Sequence, residues 1–159
     1  MRTWLHDSSH AYPEREIPVL AVATITVTSE AEGHPITCVF DEERGPGASQ
    51  WIAAEPGDQK LIIAFHQPQT IRQITMEIEE REVNRTQEVQ LALSDDGGKT
   101  YRELLRQEFK FSPEGTTWEC EDWAVEEVNV THLTLLIKPD KGRKDLFAKL
   151  TSLVLADVI

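Results

Sequence analysis

The sequence predicts an all-β protein, an antiparallel β-sandwich of about eight strands, and three observations carry that prediction. From Ile25 onward apolar residues alternate with polar ones, the period of a strand buried on one face. Turn-forming clusters interrupt the alternation at short, regular intervals. No segment sustains the 3.6-residue period of an amphipathic helix.

The elements follow in order. Val22 to Thr28 reads as the first strand and ends at Glu-Gly-His-Pro, residues 32–35; Pro35 to Phe40 suits one short helical turn. Gly-Pro-Gly at 45–47 makes a loop before Trp51, whose position suggests a core plug. After Pro-Gly-Asp at 56–58, Lys60 to Phe65 forms a strand. In the next one Ile74, Met76 and Ile78 alternate with Thr75, Glu77 and Glu79. Burying the glutamates unpaired would cost several kcal/mol, so the isoleucine and methionine face is the core side. Val89, Leu91 and Leu93 continue the pattern up to Asp-Asp-Gly-Gly at 95–98, whose glycines supply the positive φ of a tight hairpin. Tyr101 is then expected to re-enter the core as the strand to Phe111 begins. Thr117 to Val125, His132 to Lys138 and, after Pro-Asp-Lys-Gly at 139–142, Leu150 to Val158 complete the set.

The 159 residues include 16 basic and 28 acidic side chains, a net charge of −12. Such a field repels phosphate backbones and anionic membrane surfaces, so no nucleic-acid and no membrane partner is expected. No apolar run approaches the roughly 20 residues that span a bilayer. Residues 1–16 are polar, carry Asp7, Glu14 and Glu16, and lack a signal-peptide core, which makes the cytoplasm the expected compartment. Residues 1–16 read as an N-terminal extension and 17–159 as a single domain, large enough to bury about 70% of its unfolded surface without staples. Cys38 and Cys120 are accordingly expected to be free thiols. His6 and His10, four apart with Asp7 nearby, are a weak zinc pattern. No nucleophile elbow, phosphate-binding glycine loop or Cys/His cluster occurs, so no enzymatic activity is expected.

The order of signals is more specific than any one of them. Ile25-Thr26-Val27-Thr28-Ser29, then Val39-Phe40-Asp41, a glycine-rich loop, Trp51, the central strands, and Ser94-Asp95-Asp96-Gly97-Gly98-Lys99-Thr100-Tyr101 follow one another over residues 20–158. This order resembles the discoidin, or coagulation-factor type C, family of galactose-binding-domain-like proteins. The resemblance implies an eight-stranded antiparallel jelly roll and a non-catalytic module that binds a ligand through loops at one end. The matching loops are Glu30 to His34, Asp41 to Ser49 and Glu80 to Thr86; they offer His34, Arg44, Glu82, Asn84 and Arg85 as hydrogen-bonding contacts to sugar hydroxyls, Asn84 and Arg85 first. Trp118 and Trp123 flank an acidic stretch and are candidate sugar platforms, although strand packing would also explain them.

Several family features are absent. Glu30, Glu32, Glu42 and Glu43 stand where membrane-binding relatives carry apolar spikes, and Arg81-Glu82-Val83 does not reproduce the Arg-x-Asp run of fucose-binding relatives. Asp41 matches a ligand of the structural calcium held by sugar-binding relatives, but Ser152 stands near their second ligand, a glutamate, which leaves calcium open. The expected function is carbohydrate binding. The alternative is a protein-interaction module similar to the N-terminal domain of the single-strand-break repair scaffold, with an acidic face of Glu77, Glu79 and Glu119 meeting a basic protein partner.

Overall fold

A computed structural model describes residues 16–158. Its frame is a pair of long antiparallel strands, β3 (Gln59–Glu79) and β6 (Trp118–Lys138), paired from Gln59↔Ile137 at one end to Glu79↔Trp118 at the other. Three register shifts interrupt this ladder between Ala64 and Gln73. Pro68 lies in that stretch, where it can donate no ladder bond. On the facing strand Asn129 adopts φ 57°. The pair thus bends, and each half belongs to a different layer.

One layer uses the first half of β3 and the second half of β6. There β1 (Ala23–Val27) pairs with Leu61–Phe65, β4 (Arg85–Ser94) pairs with residues 132–138, and β5 (Arg102–Phe111) pairs with β4, giving the order β1-β3-β6-β4-β5. In the other layer β8 (Ser152–Ala156) pairs with residues 73–77 of β3, which pair in turn with the first half of β6. A short ladder joins β2 (Trp51–Ile52) to β7 (Lys149–Leu150). Val19–Val22 forms one turn of α-helix, and Ile36–Phe40 a 3₁₀ turn where the sequence suggested one.

The bend also corrects the side-chain phase. Leu61 and Ile63 face inward at odd positions, whereas Ile74, Met76 and Ile78 face inward at even ones; the register shifts absorb that one-residue change. Together with Val89, Leu91, Leu133, Leu135, Ile137, Leu153 and Leu155 they form one buried cluster between the layers. Trp51 is 1% exposed and donates its indole N–H to the Ser29 carbonyl at 2.9 Å, the core plug expected of it. The all-β antiparallel sandwich is as the alternation implied.

Two expectations fail in detail. Segments 60–65 and 71–78, like 117–125 and 132–138, are continuous strands, since a bulged strand can turn a corner without a loop. Tyr101 does not return to the core: it precedes β5 and remains 38% exposed.

Leu135 lies on β6 at the centre of this core, fully buried and opposite both Leu61 and Leu91. Leu135→Ala is expected to destabilise the fold by about 2–5 kcal/mol with an unchanged denaturant dependence, as read by urea unfolding.

Candidate functional site

One end of the sandwich gathers residues 28–35, 53–58, 80–84, 112–117 and 139–148. Backbone bonds knit these loops together: Ala31 N–H to the Ile52 carbonyl at 2.8 Å, Ala53 N–H to Ala148 at 2.9 Å, Gly57 N–H to Leu146 at 3.1 Å and Glu80 N–H to Thr117 at 2.8 Å. Beneath them lies a buried charge cluster. The Glu80 carboxylate, 1% exposed, meets Arg85 Nη2 at 2.8 Å and Lys149 Nζ at 3.2 Å through Oε1, and its Oε2 accepts the Glu82 amide at 2.8 Å. Arg85 Nη1 donates to the carbonyls of Phe147 at 2.8 Å and Pro139 at 3.3 Å. Gln87 donates to the Lys149 carbonyl at 2.8 Å, and the Asp140 carboxylate accepts the Thr86 amide at 2.7 Å.

The electrostatics follow from these contacts. Burial alone would raise the Glu80 carboxyl pKa, but the Glu82 amide, Lys149 and Arg85 together hold it below the ordinary value. Burial draws Arg85 somewhat down, against the pull of Glu80 and Asp140. Asp140 is likewise held low: the amides of Thr86, Arg143 and Gly142 and the Arg85 charge outweigh its burial.

Above this base the 139–148 loop presents Phe147, 40% exposed. Asn84 and Glu82 are exposed on the neighbouring 80–84 turn. Arg143 pairs with Asp145 at 3.0 Å and Lys141 with Glu108 at 2.6 Å, while Lys144 is exposed. Phe147 was not singled out in the sequence. Its only signal there is an aromatic two residues after the charged stretch Lys141 to Asp145, which reads as a solvated turn.

The structure disperses the residues that the resemblance grouped. Arg85 is a correction: its side chain is 4% exposed and serves the protein's own carboxylate and carbonyls, because its place on the inward face of β4 leaves it no path to solvent. Glu82 and Asn84 do stand exposed at the loop end. His34 is half-buried there, its Nδ1 3.2 Å from the Gln50 carbonyl. Arg44 is turned away and pairs with Glu16 at 2.6 Å, next to the bridge from Glu16 to Ala156. Trp118 and Trp123 are half-buried on opposite faces of β6, Trp118 across from Glu79 and Trp123 across from Ile74 against the core, so they share no platform.

The 41–49 loop is a second correction. It does not project from the end but lies across the outer face of β3, where the Gly45 and Gly47 amides donate to Glu77 at 2.7 Å and Glu79 at 3.0 Å. Both glycines have positive φ, 90° and 88°, which aims these amides at the carboxylates without strain. Glu77 and Glu79 are therefore buried at 7% each, on the face away from the core but under a loop. Glu119, opposite Ile78, points to the other side, and the expected acidic face of Glu77, Glu79 and Glu119 is not formed. Asp41 accepts the Glu43 amide and the Ser49 hydroxyl, both at 2.9 Å, and so closes its own loop. Among the described residues no three His, Cys, Asp or Glu side chains converge in a group able to hold a metal ion. His6 and His10 lie outside the described residues. Cys38 and Cys120 are free, and burial, with Glu77, Asp122 and Glu121 nearby, pushes the Cys120 thiol up to about 11.

No protein-family model matches the chain, and no curated protein matches it in sequence. Solved structures do match in fold. The family 32 carbohydrate-binding module of NanJ from Clostridium perfringens, in complex with galactose, is 15% identical with a TM-score of 0.58, over 89% of this chain and 97% of that one. A further module of that type, from a family 31 glycoside hydrolase of Clostridium perfringens, is 14% identical with a TM-score of 0.63, over 90% of this chain and 95% of that one. A family 29 fucosidase from Ruminococcus gnavus, in complex with fucose, is 10% identical with a TM-score of 0.68, over 99% of this chain but 29% of that one. The chain has the discoidin-like, galactose-binding-domain-like β-sandwich fold.

Because the Glu80 pKa is depressed in the folded state, its stabilisation is present at neutral pH and is lost as pH falls below about 4.3, the ordinary glutamate value. Unfolding free energy is expected to drop on acidification from about pH 5, with a shallower slope in Glu80→Gln. At neutral pH Glu80→Gln is expected to cost about 3–5 kcal/mol, since Arg85 and Lys149 lose their buried counter-charge. Urea titrations of both proteins across pH measure these effects.

Proposed function

We propose that the protein is a non-catalytic carbohydrate-binding module that takes a sugar at the loop end. The observation that carries this reading is Phe147, an aromatic ring exposed on a loop whose backbone is pinned from below by Arg85. A flat ring of this kind stacks on the C–H face of a pyranose, while the neighbouring Asn84 amide and Glu82 carboxylate give and take hydrogen bonds at its hydroxyl edge. The pinned backbone lowers the ordering cost of binding, which matters for a ligand that buries little area. The fold is that of modules solved with sugars, including galactose, and supports the same assignment. The interaction-module alternative loses its motive, because two of its three glutamates are covered by the protein's own loop.

Titration of the ¹⁵N-labelled protein with galactose, N-acetylgalactosamine and uronic-acid oligomers, followed by amide NMR, is expected to shift residues 81–84 and 143–148 for at least one of them. Phe147→Ala should weaken that response about tenfold, the scale of a buried aromatic contact, with an unchanged thermal midpoint because the ring is outside the core. Silence from every sugar, or a response undiminished in Phe147→Ala, would overturn the assignment.

A further inference from the structure

At the opposite end of the sandwich the Asp-Asp-Gly-Gly hairpin and the 126–129 bend of β6 enclose a cavity of about 130 Å³. Its floor is apolar: Leu93 and Val130 are each 2% exposed. Tyr101 and Val128, 38% and 57% exposed, form its walls, and Ser94, Asp95, Thr100 and Arg102 its rim. This is where the ring expected in the core stands instead.

The rim is chemically one-sided. The Ser94 hydroxyl donates to Asp96 at 2.6 Å and accepts the amides of Asp96 and Gly98, so it is fully engaged. The Thr100 hydroxyl also donates to Asp96 at 2.6 Å, which leaves only its acceptor lone pairs for a ligand. Four hydrogen bonds in all hold the Asp96 carboxyl far below the usual carboxylate range, so it stays ionised and rigid. The Arg102 guanidinium is bound to Glu127. Asp95 remains, exposed and without a direct ion pair among the described residues; it feels the Arg102 charge only at longer range, since that guanidinium is bound to Glu127. The lining itself carries one carboxylate, Asp95, and one cation, Arg102; behind it Asp96 is bonded to the lining Ser94 and Thr100 and Glu127 to Arg102, in a chain of net charge −12.

We propose that this cavity binds a primary alkylammonium, its head on Asp95 and against the Tyr101 ring and its stem on Leu93, Val128 and Val130. A cation is drawn to an aromatic face and to a carboxylate together, and an aliphatic stem fits an apolar floor. The same chemistry is offered by a free diamine and by a lysine side chain of a partner protein. The site is separate from the loop end and does not depend on what binds there.

The test uses the full chain, ¹⁵N-labelled, with cadaverine, with Nα-acetyl-lysine N-methylamide, and with 1-pentanol as a neutral stem. Saturating shifts confined to amides of residues 93–102 and 128–130 are expected with at least one amine, and none that saturate with the alcohol. Saturation by the lysine amide alone identifies a protein lysine as the source, and saturation by cadaverine alone a free amine. Asp95→Asn and Tyr101→Ala, both at exposed positions, should each weaken binding about tenfold, the scale of one charge-assisted contact. The proposal is overturned if neither amine saturates these amides, if 1-pentanol matches the amines, or if Asp95→Asn binds like the unaltered protein.

Discussion

The larger sheet of the protein hangs on the pairing of β3 with β6. Those two strands supply the centre of both layers; β1, β4 and β8 each pair along one of them, and β5 joins through β4. A strand that serves two layers must bend, and a bend in a ladder leaves polar backbone groups unpaired unless it falls at an exposed edge of the molecule. Here it falls at the end remote from residues 80–84 and 139–148, around residues 66–70 and 126–129. The consequence is positional: one end of the sandwich is made of continuous strands turning over, and the other of separate loops free to vary.

Much of this was legible in the residues. Alternation found the strands because one face of each is dry, and it found the correct face for Ile74, Met76 and Ile78. Pro35 to Phe40 gave its helical turn, and Trp51 its burial, from local chemistry alone. The bend escaped because a bulge has no fixed composition. Residues 66–70, His-Gln-Pro-Gln-Thr, look like a loop, and only pairing with a distant strand makes them part of one.

The site was less legible, for a physical reason. An arginine in a loop-flanking position reads the same whether it reaches outward for a ligand or inward for Glu80; the difference lies in which face of β4 it occupies, fixed by a ladder more than 40 residues away. Glu77 and Glu79 illustrate the converse. Sequence logic correctly kept them out of the core, yet carboxylates can also be buried from the outside when amides arrive to satisfy them, as those of Gly45 and Gly47 do. What a loop does with its backbone is nearly invisible in its side chains.

That same backbone dependence has an evolutionary reading. Arg85 grips the carbonyls of Pro139 and Phe147, Gln87 that of Lys149, and Gly57 that of Leu146. A carbonyl oxygen is common to all residues, so these clasps are blind to the identity of the side chains displayed between them. The exposed positions between Lys141 and Phe147, the buried Leu146 apart, can therefore be rewritten, by drift or by grafting, while the mooring beneath them stays intact.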